Sequence, residues 1–141
     1  MIRAFAFFFI GFVGLSVQAN GAPSDLVGKW ATPCYLGNPA GTEYTQTQNE
    51  FAANGTLKSI DYVYSDAKCA GAVRRPMNEM KGTYQATANS IRLSVIQDRR
   101  NYEMTANYEI KGDFLKLTHT QLWINGKHVT EVSDGILTRV R

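Results

Sequence analysis

Two cysteines, two histidines and a scatter of arginines are the side chains of this 141-residue chain best equipped for chemistry. His119 and His128 stand nine positions apart, without HxH or HExxH spacing, and supply too few ligands for a metal. Glu103 and Glu109 fall on the polar side of an alternating segment, and no carboxylate pair sits at a motif spacing. Neither a GxSxG nor a phosphate loop is present. Catalysis needs a nucleophile, base or metal in a defined constellation, and none can be assembled. The expectation is a non-enzymatic protein with no cofactor and no metal.

The cysteines are read through the compartment. Arg3 is followed by an apolar run from Ala4 to Val17, and Val17-Gln18-Ala19 puts small residues at −3 and −1 of a cleavage point. The run is shorter than a membrane anchor, and no cysteine at the junction could take a lipid. Residues 1–19 are therefore expected to be a cleaved signal peptide, and 20–141 a single domain, periplasmic or secreted. In an oxidising compartment Cys34 and Cys69 are expected to pair, closing a loop that contributes roughly 3–4 kcal/mol on the chain-entropy estimate. The net charge of +3, lowered by one when Arg3 leaves, is too small to suggest a nucleic-acid partner.

The elements that must position these residues read as strands. Aromatics make up 11% of the chain and no segment has helical periodicity. Strands are expected at about 26–32, 43–53, 56–65, 79–87, 91–95, 102–111, 114–121 and 136–141, with Ser24 or Asp25 capping a turn before the first. The clearest is 102–111, where Tyr102, Met104, Ala106, Tyr108 and Ile110 alternate with polar residues. Asn54-Gly55, with both positions at positive φ, Ala88-Asn89-Ser90 and Gly112-Asp113 are tight turns. Segments 34–42, 66–78, 97–101 and 122–135 are longer loops, the last with room for a small hairpin at Asn125-Gly126. Tight turns then alternate with long loops, so all the tight turns fall at one end. That is the pattern of an all-β, eight-stranded antiparallel up-and-down barrel with an open, long-loop mouth. Cys34 and Cys69 both land at that mouth.

Three places give the chain a resemblance to the lipocalins of the calycin superfamily. Gly28-x-Trp30 opens the first strand as in the lipocalin signature, Gly112-Asp113-Phe114 is similar to the family's turn between strands six and seven, and Arg139 or Arg141 ends the last strand. The resemblance implies that Trp30 plugs the closed end of the barrel and that one of these arginines packs across it. Avidin-like binders and short periplasmic inhibitors of proteases or lysozymes share the same general shape. The chain is shorter than most lipocalins and has no long helix after the last barrel strands.

Function is then expected at the mouth. Arg74, Arg75, Arg99 and Arg100 lie in its loops, where a planar guanidinium can fork onto an anionic headgroup or simply face water. Tyr62, Tyr64, Tyr84, Tyr102, Tyr108 and Trp123 are candidates to line a pocket, and His119, in phase with Leu115 and Leu117, is expected to point inward. Whether the barrel is hollow or filled stays open. The first reading is an exported, monomeric carrier or sensor of a small hydrophobic or amphipathic ligand bound at the long-loop end. The alternative is a protein-binding module, such as a protease or lysozyme inhibitor, that uses the rim loops.

Overall fold

A computed structural model describes residues 22–132 and 134–141. The expected signal peptide lies outside the described residues. Ten strands follow in order: β1 (Gly28–Ala31), β2 (Tyr35–Leu36), β3 (Tyr44–Phe51), β4 (Thr56–Tyr64), β5 (Arg75–Ala86), β6 (Ser90–Gln97), β7 (Arg100–Lys111), β8 (Phe114–Ile124), β9 (Lys127–Val132) and β10 (Gly135–Val140). Every pairing is antiparallel, and β1 bonds both β3 and β10, which closes the sheet. The barrel has eight staves. β1 and β2 run successively along β3 as one interrupted stave, and β9 and β10 run along β8 as another. The barrel shape and the Cys34–Cys69 disulfide, with Cα atoms 5.7 Å apart, are as the sequence led us to expect.

The turns depart from the expected alternation. Asp98 and Arg99 both take positive φ (50° and 63°), as do Asn125 and Gly126 (51° and 76°). Both pairs make two-residue hairpins whose twist suits antiparallel strands. Segments 97–101 and 122–135 are therefore mostly strand, and tight turns occupy both ends of the barrel. Only the segments around 32–43 and 65–74 remain long at the mouth, and the disulfide ties them together. At Asn54-Gly55 only Gly55 has positive φ (84°), and Gly55 N–H donates to the Ala52 carbonyl at 3.0 Å. β5 begins at Arg75, earlier than expected, because Pro76 sits where β5 pairs with β4 alone and needs no ladder donor on its other side.

The core occupies the lower half of the barrel. Leu26, Trp30, Phe51, Leu57, Tyr84, Ile91, Ala106, Tyr108, Leu115 and Leu137 pack together there. Trp30 is fully buried and its indole N–H donates to the Leu26 carbonyl at 2.8 Å. Removing a side chain of that size from water contributes on the order of 4–6 kcal/mol before entropy is counted. The Arg139 guanidinium carbon lies 4.1 Å from the centre of the Trp30 ring. Its nitrogens donate to the carbonyls of Val27 (3.3 Å) and Asp25 (2.6 Å). Gly28 is required beside it: at φ 134°, any Cβ would stand 3.0 Å from Arg139 Nη1. Arg141 instead pairs with Asp113 at 2.6 Å, on the turn into β8.

Replacing Arg139 with Met keeps the length of the side chain but removes the cation and both carbonyl bonds. It should cost about 1–3 kcal/mol in urea unfolding, with Trp30 fluorescence as the readout. Gly82→Ala should cost a similar 1–3 kcal/mol, because a Cβ there would overlap the Ser94 carbonyl and press on Val95. Unchanged unfolding midpoints would show that neither contact holds the barrel.

Candidate functional site: the upper chamber and its rim

Above the core, the inward side chains divide by wall. Along β3 and β4 the inner face carries Thr45, Thr47 and Asn49 opposite Val63, Asp61 and Ser59. Thr45 and Ser59 are buried polar residues, and Thr47 Oγ1 donates to Asp61 Oδ1 at 2.6 Å. Asn78 occupies an extra position in β5, at φ 49°, where Ile60 pairs with Glu79 but Asp61 with Met77. From that bulge its amide reaches Asp61 Oδ2 at 3.3 Å. The far wall is apolar. Leu93 and Val95 of β6 face inward with Met104 and Tyr102 of β7, which pair with Leu122 and Ile124 of β8.

Burial separates this region from the core. Most inward residues of the core keep at most a few per cent of their surface, although Ala86, Ile110 and Leu117 are half-buried there. Higher up Thr45 and Val63 are buried, Leu93 and Val95 pack half-buried against the core, and Tyr102, Met104, Leu122 and Ile124 are half-buried. Met77 and Met80, on the inner face of β5, are half-buried too. The apolar lining of the upper half is therefore incompletely covered. The seam explains part of this exposure. β1 and β10 bond only from Lys29–Ala31 to Thr138–Val140, and above them β2 pairs with β3 and β9 with β8, not with each other.

The rim is held by its own chemistry. Asp66 accepts the backbone N–H groups of Lys68 and Ala70 on Oδ1 (3.0 and 3.2 Å) and of Gly71 on Oδ2 (3.0 Å). The bonds from Ala70 and Gly71, more than any other influence, hold its carboxyl below the usual aspartate range. The Asp66 carbonyl accepts Cys69 N–H at 3.2 Å, so one residue shapes the loop that presents the disulfide. Arg74 and Arg75 share Glu43, at 3.8 and 3.3 Å. Arg99 occupies a hairpin turn, and Arg100 pairs with Gln97 at its base.

The aromatic candidates do not converge. Tyr102 alone faces the chamber. Tyr84 and Tyr108 belong to the core, their hydroxyls donating to the carbonyls of Ala52 (2.7 Å) and Thr87 (2.5 Å), and burial pushes both phenols up so that they remain neutral donors. Tyr62 and Tyr64 share the phase of β4 that faces away from the barrel interior. Tyr62 borders a surface groove with Lys29, Gln48 and Lys58, while Tyr64 is buried there, and burial pushes its phenol up. Trp123 is opposite Glu103 on the outside of β8 and packs edge-on against His128, 5.3 Å between ring centres. His119 is exposed, against expectation. It is the extra residue of a bulge opposite Ala106, at φ 52°, and the added position shifts the phase so that Thr120 takes the inward place.

A concavity of about 850 Å³ lies at the opposite end, around Asn54-Gly55, Thr87 and Ser90 and along Arg92, Thr105 and Asn107. It is open, and its lining, which includes Tyr84, Ala86, Ile91, Ala106 and His119, is more apolar than polar. Among the described residues no group of three His, Cys, Asp or Glu is placed to hold a metal ion. Comparison with protein-family models, with curated proteins and with solved structures finds no match to this chain.

The depressed carboxyl of Asp66 sets a pH dependence. Its charged form stabilises the folded state fully above the ordinary aspartate value and loses that effect as pH falls through the lower, folded value. Thermal midpoints measured from about pH 6 to pH 2 should therefore show wild type and Asp66→Asn converging below about pH 4. Curves that stay parallel to the acid end would remove Asp66 as a determinant of rim stability.

Proposed function

We propose that the protein is an exported, non-enzymatic, lipocalin-like binding protein, monomeric, which carries or senses a small amphipathic or hydrophobic ligand at the long-loop end. The single observation that carries this reading is the set of apolar side chains, Met104, Leu122 and Ile124, that face into the barrel beyond the core cluster yet remain half-buried. Leu57 and Leu115, within the core, are buried. Apolar lining with a few placed polar groups is what a small-molecule pocket offers, and the division between a polar β3–β4 wall and an apolar β6–β8 wall suits an amphipathic ligand. Met77, Met80 and Met104 add a soft, adaptable surface of the kind used to bind varied shapes. The Gly28-x-Trp30 opening, the guanidinium of Arg139 across the indole and the eight-stave closure support the lipocalin likeness. The disulfide and the apolar run from Ala4 to Val17 support export.

A second reading rests on a different observation. Tyr35, Leu36 and Val73 are 47%, 54% and 45% exposed on the two segments that the disulfide joins. An apolar tip on a braced loop pair fits a protein-binding module, including an inhibitor of a protease or lysozyme.

Leu122→Trp separates the two. In a hollow chamber the larger side chain finds room, so stability should change by less than about 1 kcal/mol, whereas overpacking a filled interior costs roughly 1–3 kcal/mol. The neutral fluorescent probe N-phenyl-1-naphthylamine should bind wild type and lose at least about tenfold in affinity for the variant. A destabilised variant, with no probe binding by wild type, would overturn the carrier reading and leave the loop-tip reading standing.

A further inference from the structure

β4 directs a carboxylate into the barrel. Asp61 follows Leu57 and Ser59 on the inner phase and precedes Val63, and its two oxygens accept one hydrogen bond each, from Thr47 Oγ1 and Asn78 Nδ2. A carboxylate offers about four acceptor positions, so about half remain for a further donor. Both existing partners are neutral, and no described lysine or arginine stands within ion-pairing distance of Asp61. Arg74 and Arg75 are engaged outside, on Glu43. Opposite the Asp61 wall stand Tyr102, Leu122 and Ile124, which compensate no charge.

Electrostatics then favours one sign of guest. Charges on the exposed rim are screened within about 8 Å at physiological salt, whereas the partly buried Asp61 carboxylate lies on the inner face that a bound head group would meet. An anionic head entering the chamber would meet the uncompensated carboxylate, whereas an ammonium would neutralise it and use its open acceptor positions. We infer that the ligand is an amphipathic amine, its ammonium hydrogen-bonded to Asp61 and its apolar body against the β6–β8 wall. This inference rests on the carrier reading and adds the chemistry of the head group.

The test uses one body with three heads: octylammonium, octanol and octanoate, titrated by calorimetry into oxidised mature protein at pH 7. Wild type should prefer octylammonium over octanol by about tenfold or more, as expected for a hydrogen bond to a charged group, and should bind octanoate most weakly. In Asp61→Asn, which keeps the shape and an acceptor but loses the charge, the preference for ammonium over octanol should fall below about threefold. Equal binding of all three heads by wild type, or a preference for octanoate, would overturn the amine assignment while leaving the carrier reading intact. Binding of none, together with a destabilised Leu122→Trp, would overturn both. The wild-type comparison decides the sign of the head group even if the Asp61 variant folds poorly.

Discussion

Where the Trp30 indole lies under the Arg139 guanidinium, the first and last strands of the chain are held in one place. The contact joins three effects that reinforce one another: burial of the largest side chain in the core, a cation over its ring, and two guanidinium bonds to the carbonyls of Val27 and Asp25. Those carbonyls belong to the turn at the base of the barrel, in which Leu26 N–H donates to the Pro23 carbonyl. The same turn places Leu26 beneath the indole, and the Leu26 carbonyl takes the indole N–H. Closure of the sheet relies on this arrangement, because the ladder between β1 and β10 is only three residue pairs long.

With the bottom sealed in this way, the top is free to be loose. The lower interior is apolar on all sides and packed. The upper interior has one wall of hydroxyls, amides and a carboxylate and another of aliphatic and methionine side chains. The disulfide and the Asp66 bonds brace the rim loops. Stability and the proposed binding thus draw on different halves of one barrel, so the chamber lining can vary without loosening the plug.

Much of this was legible in the sequence, for physical reasons that differ from part to part. Strand β7 was plain because five apolar residues alternate without a break, and the Cys34–Cys69 pair and the Gly28-x-Trp30 opening were plain because few arrangements use them. The phase of β4 was misleading. Ile60, Tyr62 and Tyr64 look like the inward set, yet Leu57, Ser59, Asp61 and Val63 face inward, paired with hydroxyl and amide side chains of β3, and Tyr64 is buried on the other side of the sheet. Bulges were invisible to a reading based on strict alternation. One extra residue at His119 moves Thr120 inward, and one at Asn78 carries an amide to Asp61. The hairpin at Asp98-Arg99 was hidden by charge, since the segment resembles a surface loop until the positive φ values are seen, whereas Asn125-Gly126 carried its own turn signal.

The seam between β1 and β10 also sets what closing the barrel costs in chain entropy. The β3–β4 hairpin and its successors through β9 join neighbours in sequence, and the cysteines are 35 positions apart. By contrast, the Val27 carbonyl and the Arg139 side chain are separated by 112. Contacts so distant in sequence carry the largest loop-closure cost in the barrel, so its closure depends on the few residues of β10. Without them, the sheet has two unpaired edges. Arg139, which completes the plug, lies on the strand whose pairing removes those edges.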